Sequence, residues 1–155
     1  MIQASNIHKH YDKLHVLKGV GLHIKKGEIV SIVGASGAGK TTLLQILGTL
    51  YKPSKEPETA LVINNENILD MKDKALSKFR NLQLGFIFQF HQLLPEFTAL
   101  ENVCIPAFIA GKSKQATEAE AKKLLDYLGL SHRIDHRPGE MSGGEQQRVA
   151  VARAV

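Results

Sequence analysis

The chain has 155 residues, 43% hydrophobic and 23% charged, which predicts a single globular domain. Its one cysteine, Cys104, excludes an intramolecular disulfide and fits a reducing compartment. The net charge of +5 favours anionic ligands, while the absence of any apolar run near the roughly 18 residues that cross a bilayer leaves membrane contact to a partner.

Ile2 to Ile24 alternates apolar positions, broken at Lys18-Gly19, and reads as strands with turns. Lys25 to Glu28 predicts a turn. Glu28 to Val33 is β-branched and nearly all apolar, the pattern of a strand buried on both faces. A glycine loop follows at once. Lys40 to Leu50 then predicts a helix covered on most of its surface, with Leu43, Leu44, Ile46, Leu47 and Leu50. Strand, glycine loop and helix in this order open an α/β unit. Tyr51 to Glu58 is a proline-bearing loop, and Ala60 to Ile63 is a strand stopped by Asn64-Asn65. A short exposed helix is expected over Asp73 to Arg80, and another strand over Gln83 to Gln89. Beyond Pro95 the pattern turns helical. One helix runs from Thr98 to Cys104. A second opens at Thr117, where Glu120 completes a capping box, and closes at Gly129.

Two helix starts carry chemistry. Gly34-Ala35-Ser36-Gly37-Ala38-Gly39-Lys40-Thr41 fits the phosphate-loop pattern G-x-x-x-x-G-K-[ST], and Thr42 follows it. Its glycines let consecutive amides turn inward around a phosphate, and the helix dipole adds positive potential. Lys40 would reach the β- and γ-phosphates, and the Thr41 hydroxyl would ligate Mg²⁺. The second start is Met141-Ser142-Gly143-Gly144-Glu145-Gln146. Ser142 and Glu145 form a capping box. Gly143 and Gly144 each cost the helix about 1 kcal/mol relative to alanine, which a purely structural cap would not require. By capping chemistry alone, an anion site and a plain capped helix remain equally open.

These motifs together resemble the nucleotide-binding subunit of ABC transporters. GASGAGKTT is similar to that family's Walker A loop and MSGGEQ to its signature motif. Gln89, behind Phe86-Ile87-Phe88, is similar to its Q-loop glutamine, and Tyr11 to the aromatic residue that stacks on adenine. The resemblance implies an α/β P-loop ATPase core with an N-terminal antiparallel β region and an inserted α-helical subdomain. About 1–89 would be the core, 90–139 the helical part and 140–155 the signature motif and helix. It implies that Gly34 to Thr42 hold the phosphates of ATP, that Thr41 and Gln89 hold Mg²⁺, and that Lys40 and Gln89 serve hydrolysis. Ser142, Gly143, Gly144, Glu145 and Gln146 would bind the nucleotide of a second ATPase subunit in a head-to-tail dimer.

Phe90 to Val103 and His136 to Glu145 resemble the lipoprotein-releasing branch of the family; macrolide-exporter and cell-division branches share the texture. The implied partners are transmembrane permease subunits at the cytoplasmic face of a bacterial inner membrane, with no nucleic acid. A soluble ATPase of this fold acting on ribosomes or DNA is the rival from another class. The family's Walker B aspartate, the catalytic glutamate beside it, the D-loop and the switch histidine are expected beyond Val155, so the chain should bind nucleotide without useful hydrolysis. Lys52 to Lys55 keeps only the proline and serine of a turn common in the family. The seven histidines show no metal-binding spacing; His132 and His136, four apart, lack a third ligand.

Overall fold

The computed structural model describes all 155 residues. They form two compact units, Met1–Ser77 and Lys78–Val155.

The first unit is built on a hairpin. β1 (Ile2–Tyr11) pairs antiparallel with β2 (Leu14–Ile24), and β3 (Ala60–Ile63) and β4 (Glu66–Asn67) extend the sheet in the order β2-β1-β3-β4. The interruption expected at Lys18-Gly19 is a bulge within β2, not a break between strands. The register passes from Ile7↔Val20 to Lys9↔Leu17, with Gly19 at φ 74°. α1 (Lys40–Leu47) packs on β1 and β2. It buries Leu43, Ile46 and Leu47 while Leu44 stays 55% exposed, so only one face is covered. Each such burial is worth roughly 1.5–3 kcal/mol. The helix ends earlier than Leu50, at Gly48.

The strand expected over Glu28 to Val33 does not form. The segment has no ladder partner, and Ile29 and Val33 are 99% and 84% exposed. Its apolar character is that of an interior strand, but such a strand forms only with neighbours on its edges, and no other segment of this unit pairs with it. Ser54 takes another role in the departing loop. Its backbone N–H donates to His8 O at 2.9 Å, and its hydroxyl accepts from the His10 N–H at 2.9 Å.

The second unit is helical. The boundary falls inside α2 (Asp73–Gln83), which runs one turn past the expected end. α3 (Ala99–Ile109), α4 (Lys114–Tyr127) and α5 (Gly143–Ala154) enclose Val103, Cys104, Ala121, Leu125, Leu130 and Val149. Cys104 is a buried hydrophobe, and burial pushes its thiol pKa up. Thr98 caps α3 through a complete box with Glu101. α4 begins earlier than expected, capped by Ser113 rather than Thr117. Thr117, Ala121 and Leu125 lie four apart on the buried face, so packing draws Thr117 into the helix and leaves its Oγ1 without a partner.

The strand expected over Gln83 to Gln89 is also absent. Phe86 and Phe88 are half-buried and Ile87 is 55% exposed, an alternation fit for a strand but with no ladder beside it. Gly85 lies against the Ala154 carbonyl, where a side chain would collide with backbone.

Candidate functional site

Six residues of the glycine loop and the first turn of α1, with Val16 of β2, line a cavity of about 350 Å³: Ser36, Gly37, Gly39, Lys40, Thr41 and Thr42. α1 carries no side-chain cap and no acidic residue in its first turn, so its leading amides and its dipole face this cavity uncompensated. The Lys40 ammonium folds over the loop and donates to Gly34 O at 2.8 Å and Ala35 O at 2.7 Å. A phosphate is a stronger acceptor for an ammonium than these carbonyls. Gly39 is fixed by two constraints. Its φ is 87°, and an added Cβ would lie 2.9 Å from both Val16 Cγ1 and Leu17 Cδ2. Any side chain here would be strained on both counts.

Tyr11 ends β1, is 43% exposed, and has the Lys9 ammonium 5.2 Å from its ring centroid.

In the second unit, Gln89 is exposed in a turn. The chain after it is held by groups far away in sequence. Arg153 donates to His91 O and Gln92 O at 2.7 Å each, fixing two residues of left-handed backbone, φ 57° and 49°. Fully buried Asn102 accepts from Leu94 N–H at 2.8 Å and donates to the carbonyls of Leu94, Phe97 and Thr98.

Ser142 caps α5. Its hydroxyl accepts from Glu145 N–H at 3.3 Å, and the Glu145 carboxylate accepts from Ser142 N–H at 2.7 Å. Arg133 Nε donates to the other Glu145 oxygen at 2.8 Å. Gln146 Nε2 donates to Pro138 O and Met141 O, at 2.9 and 3.1 Å. The side chains of Glu145 and Gln146 are thus engaged in holding the turn. A ligand at this turn would meet Ser142 and the amides of Gly143 and Gly144. Neither glycine has a left-handed φ. A Cβ on Gly143 would meet nothing within 4 Å, and one on Gly144 only Arg148 at 3.9 Å. Nothing inside the chain demands glycine at either position.

Hydrogen bonds from the Ser142 backbone, then from its hydroxyl, and the Arg133 guanidinium hold the Glu145 carboxyl down, from an ordinary 4.5 to about 2. Folding therefore favours the ionised form. That stability is fully present above about 4.5 and is lost as the pH falls through about 2. The helical unit is expected to lose stability across this window, and Glu145→Gln to flatten that part of an acid-unfolding profile. A profile identical to the parent's would refute the assignment. Glu101 is lowered by the same kind of box at Thr98 and adds to the trend.

Arg133, Asn102 and Arg153 were not singled out by the sequence. Arg133 lies 12 positions from Glu145, and Arg153 lies 62 and 61 from His91 and Gln92. No local pattern links residues so far apart.

A family model described as ABC transporter matches residues 17–155. The lipoprotein-releasing system ATP-binding protein LolD of Bacteroides fragilis is 58% identical, over 100% of this chain and 70% of that protein. LolD of Porphyromonas gingivalis is 59% identical, over 100% of this chain and 69% of its own length. Among solved structures, the dimeric MJ0796, a bacterial ABC transporter cassette, is similar with a TM-score of 0.91 at 40% identity, over 100% of this chain and 69% of that one. A dimeric post-hydrolysis state of the same cassette, bound to ADP and phosphate, gives 0.91 at 39% identity over the same shares.

Proposed function

Because this chain belongs to the ABC transporter family, whose cassettes are ATPases, we propose that it is the ATP-binding subunit that powers lipoprotein release from a bacterial inner membrane. The supporting observation is its pair of glycine-bearing helix starts. The Lys40 loop is shaped for one polyphosphate. The Ser142 turn offers bare amides whose glycines serve nothing within the chain. A second anion-binding turn has a use when another copy brings the phosphate, as in a head-to-tail dimer; the MJ0796 cassette is dimeric.

In this reading Tyr11 stacks on adenine, worth about 1–3 kcal/mol by analogy with base stacking. Gly34, Ala35, Ser36, Gly37, Ala38 and Gly39 wrap the phosphates with Thr42, and Lys40 neutralises them. The Thr41 hydroxyl and the Gln89 amide each offer Mg²⁺ an oxygen, the ligand type that suits a hard cation. Ser142, Gly143 and Gly144 meet the partner's γ-phosphate, with Glu145 and Gln146 bracing them. In the helical unit, a cavity of about 380 Å³ lined by Leu82, Val103, Pro106, Ala107 and Leu124 receives a cytoplasmic segment of a permease subunit. No helix here is long and apolar enough to cross a membrane, and attachment to the membrane's cytoplasmic face runs through that subunit. The high identity to LolD proteins favours lipoprotein release over macrolide-exporter or cell-division roles, and over action on ribosomes or DNA.

The phosphate cavity is lined by one cation and no carboxylate, whereas phosphoryl transfer needs a metal-holding acid and a group to orient water. The chain of 155 residues is therefore expected to bind ATP and release phosphate negligibly.

Ser142→Ala tests the two-sided site. It should leave ATP affinity of the single chain nearly intact, cost about 1 kcal/mol of stability through the lost cap, and abolish ATP-driven association in size-exclusion chromatography. ATP-driven association equal to the parent's would overturn the model of a shared site. Phosphate release at the rate of a LolD subunit would overturn the non-hydrolysing reading.

A further inference from the structure

Three imidazoles meet at the turn end of the β1–β2 hairpin. His8 and His10 come from β1 and His15 from β2, and one ring nitrogen of each lies within 4.8 Å of the others. His8 Nδ1 is 3.0 Å from His15 Nε2, and the rings of His10 and His15 stack with centroids 3.8 Å apart. The strand register causes this. His10 sits directly opposite His15, and His8 lies two residues back on β1. Ser54 bonds to the backbone of both His8 and His10 and fixes that stretch.

The rings are also braced from outside. His8 Nε2 is 3.0 Å from Asn6 Oδ1. An amide oxygen only accepts, so the proton sits on Nε2 and the Nδ1 lone pair points at His15. His10 Nε2 is 3.5 Å from Glu56 Oε1, which favours a proton there and frees its Nδ1. An oxygen acceptor on the far side of a ring is the outer-shell pattern of metal-bound histidine. The 3.0 Å contact between His8 Nδ1 and His15 Nε2 is one that a ring proton bridges and that a cation can replace.

We propose that His8, His10 and His15 form a binding site for a divalent transition-metal ion of the zinc class, distinct from the Mg²⁺ that accompanies nucleotide. Zn–N bonds of about 2.0–2.1 Å in a tetrahedron place ligand nitrogens about 3.3–3.4 Å apart. His8 Nδ1 and His15 Nε2 already lie 3.0 Å apart, and the stacked His10 and His15 rings would turn to converge on the ion. Three imidazoles leave a fourth position for water, with Glu56 remaining on the far nitrogen of His10. Nitrogen ligands select Zn²⁺, Ni²⁺ or Cu²⁺ and not Mg²⁺. The ion would tie β1 to β2 one residue before Tyr11, stiffening the hairpin end that carries it.

The test is a calorimetric titration of the whole, untagged chain with Zn²⁺ and, separately, Mg²⁺. One Zn²⁺ per chain is expected, with a raised melting temperature that Mg²⁺ does not produce without nucleotide. His15→Gln should weaken Zn²⁺ binding at least about tenfold, while the His132→Gln/His136→Gln double variant should bind as the parent does. His10→Gln, at the most exposed of the three positions, is the second variant should His15→Gln fail to fold. No stoichiometric Zn²⁺ binding, or equal affinity in the parent and the folded cluster variant, overturns the proposal.

Discussion

Lys40→Ala is expected to weaken ATP binding by the chain about 100-fold or more, the largest functional effect of any single substitution here. The ammonium lies over the loop, within 2.7–2.8 Å of two backbone carbonyls that a polyphosphate would outcompete. Each charge-assisted hydrogen bond to a phosphate contributes about 1.5–3 kcal/mol, and losing two corresponds to at least a hundredfold. The substitution leaves the core untouched, because the bonds it removes are at the surface. Equilibrium binding of a fluorescent ATP analogue, with melting temperature as control, reads the effect. An affinity within a few-fold of the parent's would remove Lys40 from the phosphate site.

Gly39→Ala should damage folding rather than chemistry alone. A left-handed backbone costs an ordinary residue roughly 1–2 kcal/mol. The new Cβ would also lie 2.9 Å from Val16 Cγ1 and Leu17 Cδ2. Such overpacking costs about 1–3 kcal/mol. The sum, about 2–5 kcal/mol, is a large part of the stability of a small domain. A chemical-denaturation midpoint equal to the parent's would show that the loop relaxes freely.

What the sequence disclosed follows the reach of each interaction. The Thr98 and Ser142 caps use atoms three residues apart, so their motifs could be read directly. The boundaries of β3 were equally legible, since Asn64 and Asn65 take positive φ just where the ladder turns. The start of α4 was misplaced because Thr117 and Glu120 have the sequence pattern of a box, whereas Ser113 caps alone; burial of Thr117 with Ala121 and Leu125 places it inside the helix, where no box forms. Glu28 to Val33 and Gln83 to Gln89 have strand composition, but a strand is a property of a pair of segments. The apolar surface left at Ile29, Val33 and Ile87 follows from that. The glycine-loop pattern is read from spacing, and the Ser142 turn from its cap and the family resemblance. Their braces, Asn102, Arg133 and Arg153, and the histidine cluster on the hairpin depend on register and long-range packing, which spacing does not encode.

The open space around Gly143 and Gly144 has an evolutionary consequence. Alanine at either position would fit, and each exchange would improve helix propensity by about 1 kcal/mol. A library sorted for thermal stability would therefore drift toward alanine at this turn. Under the proposed shared site, a library sorted for ATP-driven pairing of subunits would hold the glycines, because there the cost of a Cβ would fall on the incoming phosphate. The two selections would pull the same two codons in opposite directions.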